Sequence, residues 1–443
     1  MKKLLLLLTL VLVGVLVVAP YFVGTEAEQI YTREVARLNQ QAVNSGIENI
    51  EHDYQRGVFS SQSILTFDVR IEQEKVVVVL QSDISHGPVL FTDQGLSTGL
   101  YASRDQLSLQ EVPSDVAEFL EQTLGGKLMT ASTRVDFQQQ LHTLAQIAPF
   151  VYYQEGNELD FGGVDMDMMA DLTTDSWSGT LSIHPISIKD ERDTITLSKA
   201  SGSFDATMID PAAALAVGEF SLLFDALDIK TTELNTTLKQ ISLTANQKLV
   251  DGKITLDERI AIGSIEAPMP VTAASYEFKL SNLDPAAIAL WSQLASQIDQ
   301  QLSVNPDEME AELRTLTSTV FQPGLSLNQE LKLDAYGGTL DITADLRYLG
   351  LADGLHPMDI QEPLVLLDIV EADLTITADE EAINASPAAG MVTMYVEQGL
   401  LVRENGQLVL RGKLQEGEAT LNGQPFPLRE ILQQQMQPAP AVQ

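Results

Sequence analysis

The chain has 443 residues and no cysteine, and its 62 acidic residues against 26 basic ones give a formal net charge of −36. This length predicts two or three domains, and a hydrophobic fraction of 44% argues against a disordered chain. The absence of cysteine excludes disulfides, thiolate metal sites and a cysteine nucleophile. The acidic charge disfavours nucleic acid as a partner, because its binding needs a basic surface.

The first 24 residues predict a transmembrane signal-anchor. Lys2 and Lys3 precede the stretch from Leu4 to Gly24, which is 21 residues long and carries no charge. About 20 apolar residues span a bilayer, whereas a cleaved signal peptide has a shorter apolar region and a small-residue cleavage site. We therefore expect residues 4–24 to lie in a bacterial inner membrane, with the N-terminus cytoplasmic and the bulk of the chain periplasmic. Cleavage beyond Pro20 is the alternative.

Residues 25–46 predict a helical stalk, because Ile30, Val35, Leu38 and Ala42 recur at mostly helical spacing. Two interpretations remain open. The stalk packs on its own domain, or it continues the membrane helix and pairs with a second copy of the chain, which would make a homo-oligomer.

The body of the chain alternates with period 2 and predicts strands in two regions, 47–283 and 325–436. The run from Lys75 to Leu80 reads as a strand buried on both faces. Turn signals separate further strands and predict hairpins at four places: Asp251-Gly252, Gly337-Gly338, Asn405-Gly406 and Asn422-Gly423.

Helical periodicity appears in a few segments, with start and stop signals at their ends. These are Ser114 to Leu124, the pair within 284–324 that begins at Asp284-Pro285 and Asn305-Pro306, Met391 to Leu400, and Pro427 to Met436. The tail 437–443 is predicted to be disordered. The predicted fold is α+β and strand-dominated, with mostly antiparallel, extended or curved sheets and several amphipathic helices. The helical pair marks the predicted boundary between the two strand regions.

The candidate catalytic and metal-binding motifs in the sequence lack the spacing or the neighbouring elements that their chemistry needs. Ser97 lies in a G-x-S-x-G match, but a nucleophile elbow needs a following helix, and Leu100 to Gln110 alternates like a strand. We therefore expect a turn between strands, no hydrolase and no cofactor. An acidic string predicts a solvated strand face, with weak calcium binding as the alternative: Asp160, Asp165, Asp167, Asp171 and Asp175. The five histidines have no zinc-site spacing: His52, His86, His142, His184 and His356.

Two N-terminal stretches and the C-terminal end carry a family resemblance. They are Tyr54-Gln55-Arg56-Gly57-Val58-Phe59-Ser60-Ser61, Ser85-His86-Gly87-Pro88, and Thr420-Leu421-Asn422-Gly423-Gln424 before a Gln/Pro/Ala tail. With the N-terminal anchor, the chain resembles the YdgA-like family of bacterial envelope proteins. The resemblance implies an inner-membrane protein that faces the periplasm of a Gram-negative cell, and it supplies no active site. Gln55 stands where the family pattern leads us to expect His, which argues against a catalytic or metal-binding histidine there.

The residues of these two N-terminal stretches form the predicted structural motif: Tyr54, Arg56, Gly57, Phe59, His86, Gly87 and Pro88. We expect Arg56 to form an ion pair or a cap that fixes the first turn, and His86 to lie near the stretch from Arg56 to Phe59. Gly87 precedes a proline at a chain reversal, so we expect a positive φ that other residues tolerate poorly.

Two functions remain open for the body. The first is a non-catalytic binding or scaffolding role in the envelope, with a protein partner. The second is a carrier of lipid or another hydrophobic ligand in an apolar groove of the sheet. The segment Leu280-Ser281-Asn282-Leu283-Asp284-Pro285-Ala286 resembles the AsmA-like bridge proteins, which favours the second. The two differ in whether the apolar strand faces form a closed core or an open groove.

Overall fold

Antiparallel strands dominate the fold, and several helices interrupt them, which confirms the strand-dominated prediction. The computed structural model describes residues 20, 24–33, 35–36, 39, 47–71, 74–92, 95–154, 156–210, 215–268, 270–299, 306–351, 355–360 and 362–436.

Most of the predicted signal-anchor lies outside the described residues, as do Leu38, Ala42 and the tail 437–443. Within the part of the chain that is described, no helix combines the length and the apolar character needed to cross a bilayer. Residues 24–33 are helical. Ala27 and Ile30 on this helical segment are almost fully buried, at 2% and 1% exposure, so the segment packs against the folded chain.

The chain forms two compact units. The first comprises Met1–Ala216 with Ala295–Leu302, and the second comprises Val217–Leu294 with Ser303–Gln443. The sequence places the boundary at the helical pair within 284–324, whereas the structure divides the chain between Ala216 and Val217. The reason is pairing across the helical pair: the strand before it and the strand after it bind each other from Val271↔Ala335 to Ser281↔Ser326.

The main sheet of the first unit runs along neighbouring strands in the order β1-β2-β3-β6-β7-β8-β11-β12-β15. Its strands are β1 (Ile47–Arg56), β2 (Ser60–Ile71), β3 (Glu74–His86), β6 (Tyr101–Gln110), β7 (Met129–Val135), β8 (Gln140–Ile147), β11 (Val164–Asp171), β12 (Ser176–Ile183) and β15 (Ala200–Asp210). A separate two-stranded hairpin joins β4 (Val89–Thr92) to β5 (Gly95–Thr98).

Beyond a bend in the chain, four short strands form a second row next to this sheet. These are β9 (Phe150–Gln154), β10 (Asn157–Phe161), β13 (Ile186–Lys189) and β14 (Thr194–Leu197), which pair in that order. Pro149, Gly162-Gly163 and His184-Pro185 lie at the bends. The helix Ser114–Leu124 ends at Gly125 in the left-handed conformation, as its stop signal predicts. Its Phe119 ring packs edge-on against Tyr152 of β9, 4.6 Å between centroids.

The second unit is a meander in the order β16-β17-β18-β19-β20-β21-β22-β24. These strands are β16 (Leu215–Lys230), β17 (Asn235–Val250), β18 (Lys253–Glu266), β19 (Val271–Leu283), β20 (Ser326–Ala335), β21 (Gly338–Tyr348), β22 (Val370–Asp379) and β24 (Gln407–Gln415). Three short strands extend it beside β24: β23 (Val402–Glu404), β25 (Glu418–Leu421) and β26 (Gln424–Phe426). The predicted hairpin turns at residues 251–252, 405–406 and 422–423 are present, and the turn predicted at 337–338 lies one residue earlier.

Both helices of the predicted pair, Pro285–Asp299 and Pro306–Val320, begin at their start signals. The helices predicted from Met391 and Pro427 begin at Ala389 and Leu428 and span Ala389–Glu397 and Leu428–Met436, and two short helices, Leu366–Ile369 and Glu380–Ala385, were not predicted. At the first helix of the pair, the Asp284 carboxylate accepts a hydrogen bond from the Ala286 backbone N–H at 3.0 Å. This contact satisfies a backbone donor that has no partner within the helix.

Candidate functional site

The predicted motif gathers at one end of the first sheet. Arg56 ends β1, Gly57 and Phe59 form the turn into β2, and His86 ends β3. The backbone N–H of His86 donates to the Phe59 carbonyl at 2.9 Å, so the two stretches of the motif lie side by side.

The His86 side chain is buried and holds both ring nitrogens in hydrogen bonds. Its Nε2 lies 2.8 Å from the Ser61 hydroxyl, and its Nδ1 lies 3.2 Å from the Val58 carbonyl oxygen. The neutral ring with its proton on Nδ1 satisfies both contacts, because it donates to Val58 and accepts from Ser61. Burial lowers the pKa of His86 below its ordinary value, and the charge of Arg56 acts in the same direction.

Gly87 tolerates no side chain, for a reason other than the predicted one. It has no positive φ, so left-handed backbone is not the cause. A Cβ on Gly87 would lie 1.7 Å from the carbonyl oxygen of Gly99, which is backbone and cannot move aside alone. Its N–H donates to the Leu100 carbonyl at 2.8 Å. The glycine therefore permits a close approach of two chain segments, and the peptide bond to Pro88 is cis.

Arg56 fastens the N-terminal helical segment to this end of the sheet. Its guanidinium forms an ion pair with Glu28 at 2.8 Å and donates to the Thr25 hydroxyl at 3.0 Å. Gly24 lies directly over the His86 ring, since a Cβ there would come within 2.4 Å of Nδ1. The helical segment that begins at Gly24 therefore packs on the surface formed by the predicted motif.

Polar side chains continue inward from the motif across neighbouring strands. Asp105 accepts from Ser103 at 2.9 Å and from Thr133 at 3.1 Å. Burial raises the pKa of Asp105, and these hydroxyls offset only part of that effect. Among the described residues, three hydroxyl oxygens here are buried without a hydrogen-bond partner: Tyr31, Tyr54 and Ser63. Burial also raises the pKa of both tyrosines.

This cluster contains a serine and a histidine, as a catalytic site with a serine nucleophile does, but both side chains are buried. The distance from the Ser61 hydroxyl to His86 Nε2 matches a serine–histidine pair. Ser61 is 3% exposed and His86 4%, however, and Gly24 lies over the ring, so no substrate reaches the hydroxyl. The arrangement serves to hold the N-terminal segment.

Ser97 lies on a strand and not in the predicted turn, and the aspartates of the acidic string lie on strands except Asp175, which lies in a turn. Gly95–Thr98 is β5 of a hairpin, and the Ser97 hydroxyl accepts from Arg134 at 2.8 Å. Two aspartates of the string pair with histidines: Asp167 with His142 at 2.8 Å, and Asp165 with His184 at 2.7 Å. Within the described ranges, no group of three or more His, Asp or Glu side chains is arranged to hold a metal ion.

A different surface emerges in the second unit when the strand registers are joined. Residues directly opposite one another form two rows across eight strands, β16 to β22 and β24, and every member is apolar. We call these two rows the apolar face. The first row is Phe224, Ile241, Ile262, Ala274, Leu333, Leu340, Ala378 and Leu408. The second row is Leu222, Leu243, Ile260, Tyr276, Leu331, Ile342, Ile376 and Leu410.

The opposite face of the same strands is polar. One position along each strand, the side chains point to the other side of the sheet. The row there is Ser221, Thr244, Arg259, Glu277, Glu330, Thr343, Thr375 and Arg411. The sheet is thus amphipathic along its whole width.

The centre of the apolar face is exposed. Ile260 is 48% exposed, Tyr276 37% and Leu331 38%. Side chains of this size in a closed core would be almost fully buried, as Ile254 is at 0%. The apolar side of β16 to β20 therefore remains open to an occupant.

Among the described residues, two helices cover the face at its β21–β24 end. The helices Glu380–Ala385 and Ala389–Glu397 lie over it and leave a cavity of about 320 Å³. Strand residues Leu340, Ile376 and Leu410 line the cavity together with Met391 and Tyr395 from the helix above. Its volume falls within the range of small-molecule sites, about 300–1,000 Å³.

The sequence detects the alternation on each strand but not these rows. A row exists only when seven strand registers agree, and the register of each pair depends on turns and bulges. The available signal was the period-2 alternation that successive hairpins share. It indicates that each strand has an apolar face, but it does not say which residues of neighbouring strands lie opposite one another.

The comparisons with known proteins give a family and no activity. No curated protein and no solved structure matches the chain. A family model described as a bacterial protein of unknown function, DUF945, matches residues 1–429. This span confirms the YdgA-like resemblance, because it covers nearly the whole sequence. The chain therefore belongs to the DUF945 family of bacterial proteins of unknown function.

Proposed function

We propose that this chain is a non-catalytic, membrane-anchored binding protein that carries lipid acyl chains along the apolar face of its second unit. The observation that carries the proposal is the pair of unbroken apolar rows whose central members, such as Ile260 and Leu331, are exposed. A soluble sheet that exposes a contiguous apolar surface commonly marks a binding site.

The free energy available from covering this face is large. Burying one such side chain contributes about 1.5–3 kcal/mol. Eight strands at roughly 4.8 Å spacing make each row about 34 Å long. This length is comparable to the ~30 Å hydrocarbon core of a bilayer, which two acyl chains span end to end. Two acyl chains placed end to end therefore match the face in both length and polarity.

The apolar face would recognise the acyl chain of a lipid, by burying apolar surface, and not its head group. Both rows lack a charged or hydrogen-bonding side chain, with the Tyr276 hydroxyl as the one exception within them. The ligand we propose is accordingly defined by its acyl chain, while the head group stays in solvent. The cavity beneath the helix Ala389–Glu397 supports this, since it offers a second apolar space continuous with the same rows.

The proposed location follows from the N-terminus. The 21 uncharged residues from Leu4 to Gly24 meet the length rule for a membrane span. Lys2 and Lys3 favour a cytoplasmic N-terminus, which leaves the two units on the periplasmic side of an inner membrane. Mass spectrometry of the mature chain tests the anchor, because an N-terminus near Glu26 or Glu28 would show cleavage and refute it.

A photo-cross-linking experiment tests the carrier function. Cells that produce the full chain are grown on a fatty acid bearing a diazirine, which enters their lipids, and are then irradiated. Adducts are mapped by mass spectrometry of the purified protein. We expect adducts on peptides that carry Leu243, Ile260 and Leu331, with the residues of 4–24 as the internal positive control.

A matched pair of variants sharpens the result. Leu331→Glu places a charge on the apolar face, whereas Leu223→Glu places it on the polar face at similar exposure, 38% against 43%. We expect the first variant to lose most adducts from the second unit and the second variant to keep them. Adducts confined to residues 4–24 would overturn the carrier function and favour the scaffolding role.

A further inference from the structure

The place where the N-terminal segment joins the first unit is fixed by named contacts. Gly24 lies over His86, and Thr25 and Glu28 bind Arg56. The sequence immediately before Gly24 is the uncharged stretch that begins at Leu4. Gly24, the last residue of that stretch, therefore lies at the end of the sheet formed by the predicted motif.

Three chain reversals lie side by side at this same end. The turn at residues 57–59 binds the end of β3 through the hydrogen bond from His86 N–H to the Phe59 carbonyl. The β4–β5 hairpin follows at once, and Gly87 and Gly99 at its base contact the next segment. Leu100 donates to the Val135 carbonyl at 2.8 Å, which brings the turn at residues 136–139 alongside.

Each of these reversals exposes large apolar side chains. We call this set the apolar rim: Val58 at 47%, Phe59 at 56%, Val89 at 37%, Phe91 at 78%, Leu96 at 72% and Phe137 at 53% exposure. Chain reversals of soluble proteins are normally polar, so six large exposed apolar side chains at three adjacent reversals form an unusual surface.

The β4–β5 hairpin shows how the rim is built. Leu90 points into the unit and is 0% exposed, while its neighbour Phe91 points away from it. Phe91 pairs directly with Leu96 on β5. One face of the hairpin is thus anchored in the core, and the other holds two apolar side chains in solvent on a fixed support.

We propose that the apolar rim lies in the interfacial layer of the same bilayer that holds residues 4–24. This inference rests on the membrane anchor of the proposed function. The bilayer is the occupant because Gly24, the last residue of the apolar N-terminal stretch, lies at this end of the unit. Phenylalanine and leucine rings and chains favour the boundary between head groups and acyl chains. The nearby Arg56 and Arg134 are engaged with Glu28 and Ser97, so apolar side chains supply the contact.

Lipid contact of this kind orients the first unit. A single transmembrane segment leaves a periplasmic domain free to rotate and tilt, whereas a second contact a few residues away fixes one end of it against the membrane. The rim would hold the end with the motif toward the bilayer and the β9–β10 strands away from it.

The chain contains no cysteine, so a single introduced cysteine gives a unique label. Phe91→Cys and Leu96→Cys test the rim. Tyr153→Cys on β9 is the control, because it is 69% exposed and lies beyond the bend, far from the rim along the β8–β9 strand path. Each full-length variant is labelled with an environment-sensitive fluorophore and reconstituted into phosphatidylethanolamine–phosphatidylglycerol vesicles with or without a nitroxide-bearing phospholipid.

We expect the vesicle nitroxide to quench the labels at 91 and 96 several-fold more than the label at 153. Co-flotation of the protein with vesicles, combined with equal quenching at all three positions, would overturn the rim contact and leave the anchor intact. Failure of the full chain to co-float would overturn the anchor, and the rim contact with it. The two failures are therefore distinguished in one experiment.

Discussion

Both units bury apolar side chains, but almost all of the buried polar and charged side chains among the described residues lie in the first unit. In the first unit, the strand interior near the motif carries serine, threonine, histidine and aspartate, and the N-terminal segment closes over them. In the second unit, the corresponding interior is purely apolar along two rows, and its centre is left open. A closed polar interior costs stability unless every group is bonded, whereas an open apolar face costs stability until something covers it.

This difference separates the end that seats the N-terminal segment from the face that we propose binds acyl chains. The motif end of the first unit is specific, because Arg56 binds Thr25 and Glu28 and Gly24 fits over the His86 ring, which together fix one position of the N-terminal segment. The apolar face of the second unit is less selective, because dispersion contacts and apolar burial have no directional requirement and suit any hydrocarbon chain of suitable length. Four changes test whether the contrast holds.

The largest expected effect is at Gly87. Gly87→Ala places a methyl group 1.7 Å from the Gly99 carbonyl, and we expect a loss of about 3 kcal/mol, at the upper end of overpacking. Gly390→Ala is the matched control in the second unit, because it lies in a helix with open space at its Cβ. Alanine favours a helix, so the control should keep or raise stability. The measurement is the thermal midpoint of the full chain in detergent, and equal midpoints for both variants would refute the close-approach explanation.

Next in size is a comparison of two leucines. Leu90→Ala removes a side chain that is 0% exposed in the first unit, and Leu331→Ala removes one that is 38% exposed on the apolar face. We expect the first to cost about 2–5 kcal/mol and the second well under half as much. Denaturant unfolding of each variant gives the two free energies. A large loss at Leu331 in ligand-free protein would mean that the face is covered after all.

The pH dependence of the free energy of unfolding tests the burial of His86 in the first unit. Burial lowers the pKa of folded His86 below the ordinary value of 6.5 that the unfolded chain keeps. The unfolded state therefore takes up the proton first, and the free energy of unfolding falls as the pH drops through about 6.5. We expect His86→Asn to flatten this part of the stability profile. Thermal midpoints across neutral to mildly acidic pH measure it, and identical slopes in both proteins would contradict the assignment.

The smallest expected effect is at Arg56. Its ion pair with Glu28 is partly exposed, with 30% and 39% of the two side chains accessible. We expect Arg56→Gln to cost at most about 1 kcal/mol, as for other surface pairs. Arg259→Gln, which breaks an ion pair with Glu277 in the second unit, is the control. A loss far above that of the control would show that docking of the N-terminal segment depends mainly on this contact.

The amino-acid sequence was sufficient to predict the local elements. Cap and stop residues such as Asp284, Pro285 and Gly125 set the helix ends, and Asp251-Gly252 set a hairpin, because these effects depend on neighbours a few residues away. The family motif likewise pointed to His86 and Gly87 as special positions.

Only the tertiary structure decided what those elements form together. The role of Gly87 depends on the Gly99 carbonyl twelve residues on in the chain, and the position of Arg56 opposite Glu28 depends on a contact across 28 residues. The apolar face required seven strand registers to align, and a shift by one residue in any of them would have moved its side chains to the polar side. Periodicity fixes the face of each strand, but register and exposure are properties of the assembled sheet, and these define both the apolar face and the apolar rim.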